Sequence, residues 1–395
     1  MTGGVVVREL GELSIALREA KLEGWLLYDH RGQNGIAARA LGVEDVAPMR
    51  RWFYWIPADG MPALIAHAIE SESFGELPGD VLRYDGWSSL RQRLEKVLPR
   101  RGPVAMEYQD IAGSPDLSRV DAGTIELVRS YGPRVVSSAE LVNRFLGPWR
   151  EAEALAHARA HEKVVDAERE VVAFLESQRT PLESEVRHCA TDALRARGLV
   201  LGRPPIIASG VHTRDRAARD GADRDRRVLP RDLVMIDLIA RDPEPAAPFV
   251  HRGLVASIEE TSTEQARSFA VAREARDAAI ELVRDRARAG ARLLGFEVDE
   301  LAQRVLGRAG LGSHVVHRTG HHLGRVPFSG EACTFDAFEI HDTREVIPRL
   351  AWSVHPGVYR DDLGVRATAA IQRTDDGVRV LDAGQHEILV ITRNS

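Results

Sequence analysis

The sequence predicts an α+β protein of two domains, a small α/β domain over residues 1–148 and a larger domain of helices and strands over residues 149–395. Three observations carry that reading. The chain has 395 residues and 44% hydrophobic content, enough for two domains that each bury a core of their own. Residues 1–150 alternate short apolar runs with helical patterns, the order of a small α/β domain. Around residues 145–150 the pattern changes, because Pro148 breaks the chain and a long amphipathic repeat begins behind it.

The elements follow in chain order. Residues 24–28 (G-W-L-L-Y) and 51–56 (R-W-F-Y-W-I) are dense in aromatic and aliphatic side chains and read as strands. Gly60 and Pro62 set a turn between Trp55 and Leu64, so residues 53–65 read as a hairpin. Leu90, Leu94 and Leu98 mark one face of a helix over residues 90–98, and a strand follows at 103–106. Past Pro148, Val164, Val165, Val171, Val172 and Leu175 recur near helical spacing. A helix at 182–197, strands at 205–208, 233–240 and 249–257, helices at 263–289 and 298–309, and a strand-rich end complete the pattern. The arginine-rich run 214–231 carries its own acidic residues and reads as a solvated loop.

Composition excludes several functions. A net charge of -6 without a basic cluster gives no footprint for nucleic acid or an anionic membrane, which leaves a small molecule or peptide as the expected partner. No apolar run approaches the roughly 18 residues of a membrane span, and residues 1–10 lack a leader pattern, so a cytoplasmic protein is expected. Cys189 and Cys333 lie far apart with no C-x-x-C spacing and read as reduced thiols; no base that would activate Cys333 can be assigned.

Three stretches of the second half carry chemistry. Residues 317–324 read H-R-T-G-H-H-L-G, residues 354–359 read V-H-P-G-V-Y, and residues 364–368 read G-V-R-A-T. Together they resemble the metal-binding segments of the creatinase and Xaa-Pro aminopeptidase family, whose versions are H-x-x-G-H-x-[IL]-G, I-E-P-G-I-Y and G-V-R-x-E. Residues 51–57, 118–124 and 336–344 are similar to a bacterial branch of Xaa-Pro aminopeptidases, so the likeness spans nearly the whole chain. The resemblance implies a creatinase-type α/β domain followed by a C-terminal pita-bread domain, assembled as a homodimer.

It also implies a ligand set, from which this chain departs. The family holds two divalent ions on two Asp, one His and two Glu. Asp237 matches the first Asp and His321 the His, whereas His251, His355 and Thr368 stand at the other three positions. Two ions facing so few carboxylates would leave buried charge uncompensated, and a two-ion centre is not expected. The positions serving one of the ions become His251, His321 and His355, and three imidazoles plus a water are a known setting for catalytic zinc. One divalent ion (zinc, iron or manganese) on those histidines and a metal-free pocket both remain open.

The remaining candidates follow from the same alignment. Asp237, His321, His355 and Arg366 are the expected catalytic residues, Asp237 as base or as the group that orients a histidine, and Arg366 as a clamp on a substrate carboxylate or as an ion pair. Glu339, His341, Phe328 and His212 are the expected substrate-binding residues. His212 is the nearest histidine to Ala217, where the family places a catalytic histidine, and Phe328 stands where it places a second one. His314, His317 and His322 read as supports of the motif loop. Three functions are consistent with this pattern: a hydrolase or lyase acting on a C–N bond of a small amino-acid-derived substrate, a divergent Xaa-Pro peptidase, and a catalytically silent pita-bread protein that binds a ligand or partner.

Overall fold

The computed structural model describes residues 4, 7, 9–109, 113–215, 225–328 and 330–393. Ala217 and the middle of the arginine-rich run, residues 216–224, lie outside the described residues. Its internal contacts divide the chain into two compact units, Met1–Leu146 and Gly147–Ser395.

The first unit contains α1 (Leu10–Glu19), β1 (Gly24–Asp29), α2 (Gly35–Leu41), β2 (Trp52–Pro57), β3 (Ala63–His67), β4 (Asp80–Tyr84), α3 (Trp87–Val97), β5 (Pro103–Met106), α4 (Ala122–Arg129), β6 (Arg134–Ser137) and α5 (Ala139–Phe145). The strands form one mixed sheet in the order β4-β3-β2-β1-β5-β6. Phe53 faces Ile65 in the antiparallel β2–β3 pair, the register of the hairpin read from Gly60 and Pro62. Both faces of the sheet are covered, which is why β1 and β2 are apolar without alternation. Trp25, Leu27, Trp52 and Tyr54 pack with α1, α2 and α5, and Leu26, Tyr28, Phe53 and Trp55 with α3 and α4.

The second unit begins with α6 (Glu151–Ser177) and α7 (Glu183–Ala196), followed by β7 (Val200–Leu201), β8 (Ile206–Ser209), β9 (Leu233–Arg241) and β10 (Val250–Ile258). Next come α8 (Thr263–Arg288), α9 (Gly295–Arg308), β11 (Gly320–His322), β12 (Ala351–Val354), β13 (Gly357–Tyr359), β14 (Gly364–Arg366), β15 (Ala369–Arg373), β16 (Val378–Asp382) and β17 (Leu389–Ile391). One sheet runs β17-β10-β9-β7 with β8 also on β9, a second runs β11-β12-β15-β16, and β13–β14 form a hairpin. Even-numbered residues of β9 (Val234, Ile236, Leu238, Ala240) pack on α6 and α7, whereas Leu233 and Met235 join the core built on α8 and α9. Asp237 shares that second face, so the period of two aims a carboxylate inward while its neighbours anchor the strand. Among the described residues, no helix is long and apolar enough to cross a membrane.

Candidate metal centre

Two sheets bring the three histidines together. In the β9–β10 ladder Asp237 is opposite Gly253 and His251 is opposite Ile239, so Asp237 and His251 share a face as diagonal neighbours. Gly253 is required there: a Cβ at that position would come within 2.5 Å of Thr368 Oγ1. In the β11–β12 ladder His321 is opposite Ser353. His355 lies two residues on; its amide donates to Thr319 O at 2.7 Å, and its Nδ1 is 3.1 Å from Ser353 Oγ.

The three rings form a near-regular triangle. Centroid separations are 5.2 Å for His251–His321, 5.1 Å for His251–His355 and 5.0 Å for His321–His355. One ring nitrogen from each lies within 4.8 Å of the others. Burial pushes all three pKa values below the ordinary imidazole value; Asp237 opposes this at His251, while neighbouring histidines reinforce it at His321 and His355. Neutral imidazoles carry the free lone pairs that metal ligation needs.

Asp237 is 1% exposed, and both its oxygens have partners. Its Oδ1 accepts from His251 Nε2 at 2.6 Å and pairs with Arg366 at 2.8 Å, while Oδ2 accepts from Arg203. Burial alone would raise its pKa, but Arg366, His251 and Arg203 together hold the carboxyl well below the usual range. The Arg203 guanidinium also lies 4.4 Å from the centroid of the Phe328 ring. Phe328 in turn stands 5.0 Å from the His321 ring and has φ of 56°, an uncommon conformation for a bulky residue.

A cavity of about 180 Å³ opens on this centre. Of the sequence candidates, Asp237, His321, His355, Arg366, Phe328 and Glu339 line it. His251, 1% exposed, is not among the lining residues and reaches the centre through the ring triangle. His212 and His341 are not brought to the cavity, contrary to their expected place in substrate binding. Glu183 holds the His212 ring at 2.9 Å, and the exposed His341 packs on Phe296 with ring centroids 4.1 Å apart. Arg366, expected as a clamp on a substrate carboxylate or as an ion pair, is paired within the protein with Asp237. His322 supports the strand from outside the cavity, donating through Nε2 to Gly147 O at 3.1 Å.

Sequence reasoning missed several residues that the fold delivers. Arg203 and Asp215 lie outside the motifs, and Arg318 and Tyr359 lie within them without an expected role; Asp215, Arg318 and Tyr359 line the cavity together with His317. His317 Nδ1 donates to Arg318 O at 2.7 Å, which leaves Nε2 to accept the Tyr359 hydroxyl at 2.9 Å. Arg318 stands 3.4 Å from Asp336 and 3.9 Å from Glu339.

This donor set does not fit two ions. Only Asp237 of the five expected positions is a carboxylate, and both its oxygens are taken by guanidinium or imidazole donors. One ion on three imidazoles does fit: with Nε2 of His251 on Asp237, its Nδ1 is buried and has no hydrogen-bond partner, and a carboxylate behind a metal-binding histidine is the usual support.

Comparison with known proteins agrees with this architecture. The model of metallopeptidase family M24 matches residues 153–382, more than half of the chain. A probable dipeptidase PepE of Mycobacterium tuberculosis is 25% identical over 351 residues, covering 85% of this chain and 84% of that protein. Among solved structures, dipeptidase PepE of Mycobacterium ulcerans superposes with a TM-score of 0.75 at 22% identity, covering 98% of both chains. The X-Pro aminopeptidase of Thermotoga maritima superposes at 0.66 with 18% identity, covering 97% of this chain and 99% of that one. The inward-facing strands, the histidine motif and the matched family model lead to one assignment: the chain is a member of metallopeptidase family M24 with a pita-bread fold.

Proposed function

We propose that this protein is a hydrolase acting on a C–N bond of a small amino-acid-derived substrate, with one divalent ion on His251, His321 and His355 in place of the family's pair. The observation that carries the proposal is the convergence of three neutral imidazoles, with ligand atoms within 4.8 Å of one another, on a cavity of about 180 Å³. That volume is below the roughly 300–1,000 Å³ of pockets for drug-sized ligands, which favours a substrate no larger than a dipeptide.

The residues divide the work. His251, His321 and His355 would hold the ion, and the chemistry it would supply there is Lewis acidity toward an oxygen of substrate or water. Asp237 fixes the orientation and tautomer of His251 through the 2.6 Å bond. Tyr359 and His317, hydrogen-bonded at 2.9 Å on the cavity wall, form a pair through which a proton is taken up or returned near the scissile bond. Glu339, whose side chain is 46% exposed, and Asp215 offer negative charge for a substrate amino group. Phe328 closes the apolar side of the cavity.

The relatives' names, a dipeptidase and an X-Pro aminopeptidase, favour a second reading as a divergent Xaa-Pro peptidase. Phe328 at a position where the resemblance expects a catalytic histidine speaks against the usual peptidase mechanism.

Metal analysis tests the proposal. Protein purified without chelator should carry one equivalent of a divalent ion, and His251→Ala and His355→Ala should each lose it together with hydrolysis of a panel of N-acyl amino acids and dipeptides. Unchanged metal content in both variants rejects the three-histidine centre. Release of proline from Xaa-Pro dipeptides by metal-depleted protein would reject it too.

A further inference from the structure

We infer that Arg203 and Arg366 are resident cations that occupy the electrostatic place of one metal ion, so that Asp237 is a positioning residue for His251 and the centre admits no second ion. The inference deepens the single-ion reading and relies on it only for where the first ion sits.

A carboxylate that serves as a metal ligand must present a lone pair, and three of the roughly four on Asp237 are already used: Oδ1 serves His251 at 2.6 Å and Arg366 at 2.8 Å, and Oδ2 serves Arg203. Charge gives the same result. One carboxylate faces two guanidiniums that stay protonated at any working pH, so the cluster already carries a net positive charge before any ion enters. A second divalent ion would meet that charge in a buried setting where Asp237, the one carboxylate among the five ligand positions, already has both oxygens engaged, and Coulomb repulsion makes that unfavourable.

The arrangement is built rather than incidental. Arg203 arrives on the connection between β7 and β8, where Gly202 lets the backbone approach: a Cβ there would meet Ile239 at 2.8 Å and Phe249 at 2.9 Å. Its guanidinium is stacked on Phe328 at 4.4 Å. Arg366 comes from a separate element, β14, paired with Gly357 in the hairpin register. Two cations delivered by separate elements to one carboxylate reproduce the charge pattern of an occupied ion site without an ion.

Removing a resident cation lowers the repulsion felt by a divalent ion and frees an oxygen of Asp237. Arg203→Gln should therefore bind cobalt(II) at least about tenfold more tightly than the natural protein. A purely structural role for Arg203 predicts weaker or equal binding.

Titration of apo-protein with cobalt chloride, followed by visible absorption and calorimetry, tests this, with thermal melting as the check on folding. The natural protein should saturate at no more than one equivalent, and Arg203→Gln should show the tighter binding; Arg366→Gln should shift in the same direction. If Arg366→Gln does not fold, Arg203→Gln decides alone, its side chain being 30% exposed and better placed to tolerate the change. Two equivalents in the natural protein, or equal or weaker binding by a folded Arg203→Gln, overturn the inference. A natural protein that binds no cobalt beside an Arg203→Gln that does would remove the three-histidine centre and leave the inference standing. One equivalent in the natural protein with no gain in the variant would do the reverse.

Discussion

Two buried carboxylates, Glu107 in the first unit and Asp237 in the second, have opposite electrostatic fates. Glu107 is fully buried and accepts from Trp25 Nε1 at 2.6 Å, Asn34 Nδ2 at 2.8 Å and Ser138 Oγ at 3.1 Å. These donors are neutral; burial outweighs them and lifts its pKa to about 7. Asp237 has three donors as well, but two are guanidiniums, and its pKa lies well below the usual range despite burial. Neutral hydrogen bonds satisfy lone pairs without repaying the cost of removing a charge from water, whereas opposite charges do repay it.

The largest expected effect comes from removing the counter-charge. Arg366→Ala leaves Asp237 buried with one guanidinium fewer and should destabilise the protein by about 3–5 kcal/mol in denaturant unfolding. A loss under about 1 kcal/mol would mean that charge pairing does not distinguish the two sites.

Next is pH. The folded pKa of Glu107 is raised, so its contribution is fully present below the unfolded value and is lost as pH rises from about 4.5 through about 7. The amount is roughly 3 kcal/mol at 1.36 kcal/mol per pKa unit. The folded pKa of Asp237 is depressed, so its contribution is present at neutral pH and lost as pH falls through the acid range below the unfolded value of about 4. The buried histidines, neutral in the folded state, contribute with the opposite sign over the same range, so the Glu107 contribution is read as a difference: from about 4.5 to about 7 the stability of the natural protein should fall relative to that of Glu107→Gln. An unaltered slope in the variant would show that another group is responsible.

Ser138→Ala sharpens the comparison at smaller scale. It removes the longest of the Glu107 donors, which should cost about 1 kcal/mol and move the midpoint of the Glu107 transition to higher pH. The smallest effect is expected at His341, which is exposed and packs on Phe296 with the rings tilted: His341→Ala should change stability by no more than about 0.5 kcal/mol and leave cobalt binding unaltered.

Much of the fold was legible along the chain. The apolar runs at residues 24–28 and 51–56 became β1 and β2, and the repeat beyond Pro148 became α6, because buried strands and long amphipathic helices write their periods locally. The helix expected at residues 90–98 starts earlier, at Trp87, because Ser89 Oγ accepts the Gly86 amide and closes the first turn, a signal weaker in sequence than the leucine spacing. In the site, motif spacing picked out His251, His321 and His355, whose rings do come together. The same reasoning put His212 and His341 at the substrate, although Glu183 and Phe296 hold them elsewhere.

What the sequence determined by itself was the set of side chains facing inward from β9, β10 and β11, since alternation along a strand and family motifs are properties of contiguous residues. Only the tertiary structure decided their charge and company. Arg203 lies 34 residues before Asp237 and follows no pattern that points to it, yet it takes one of the two carboxylate oxygens. Such a pairing depends on where β7, β9 and β14 pack, and electrostatic energy depends on distance through space rather than separation along the chain.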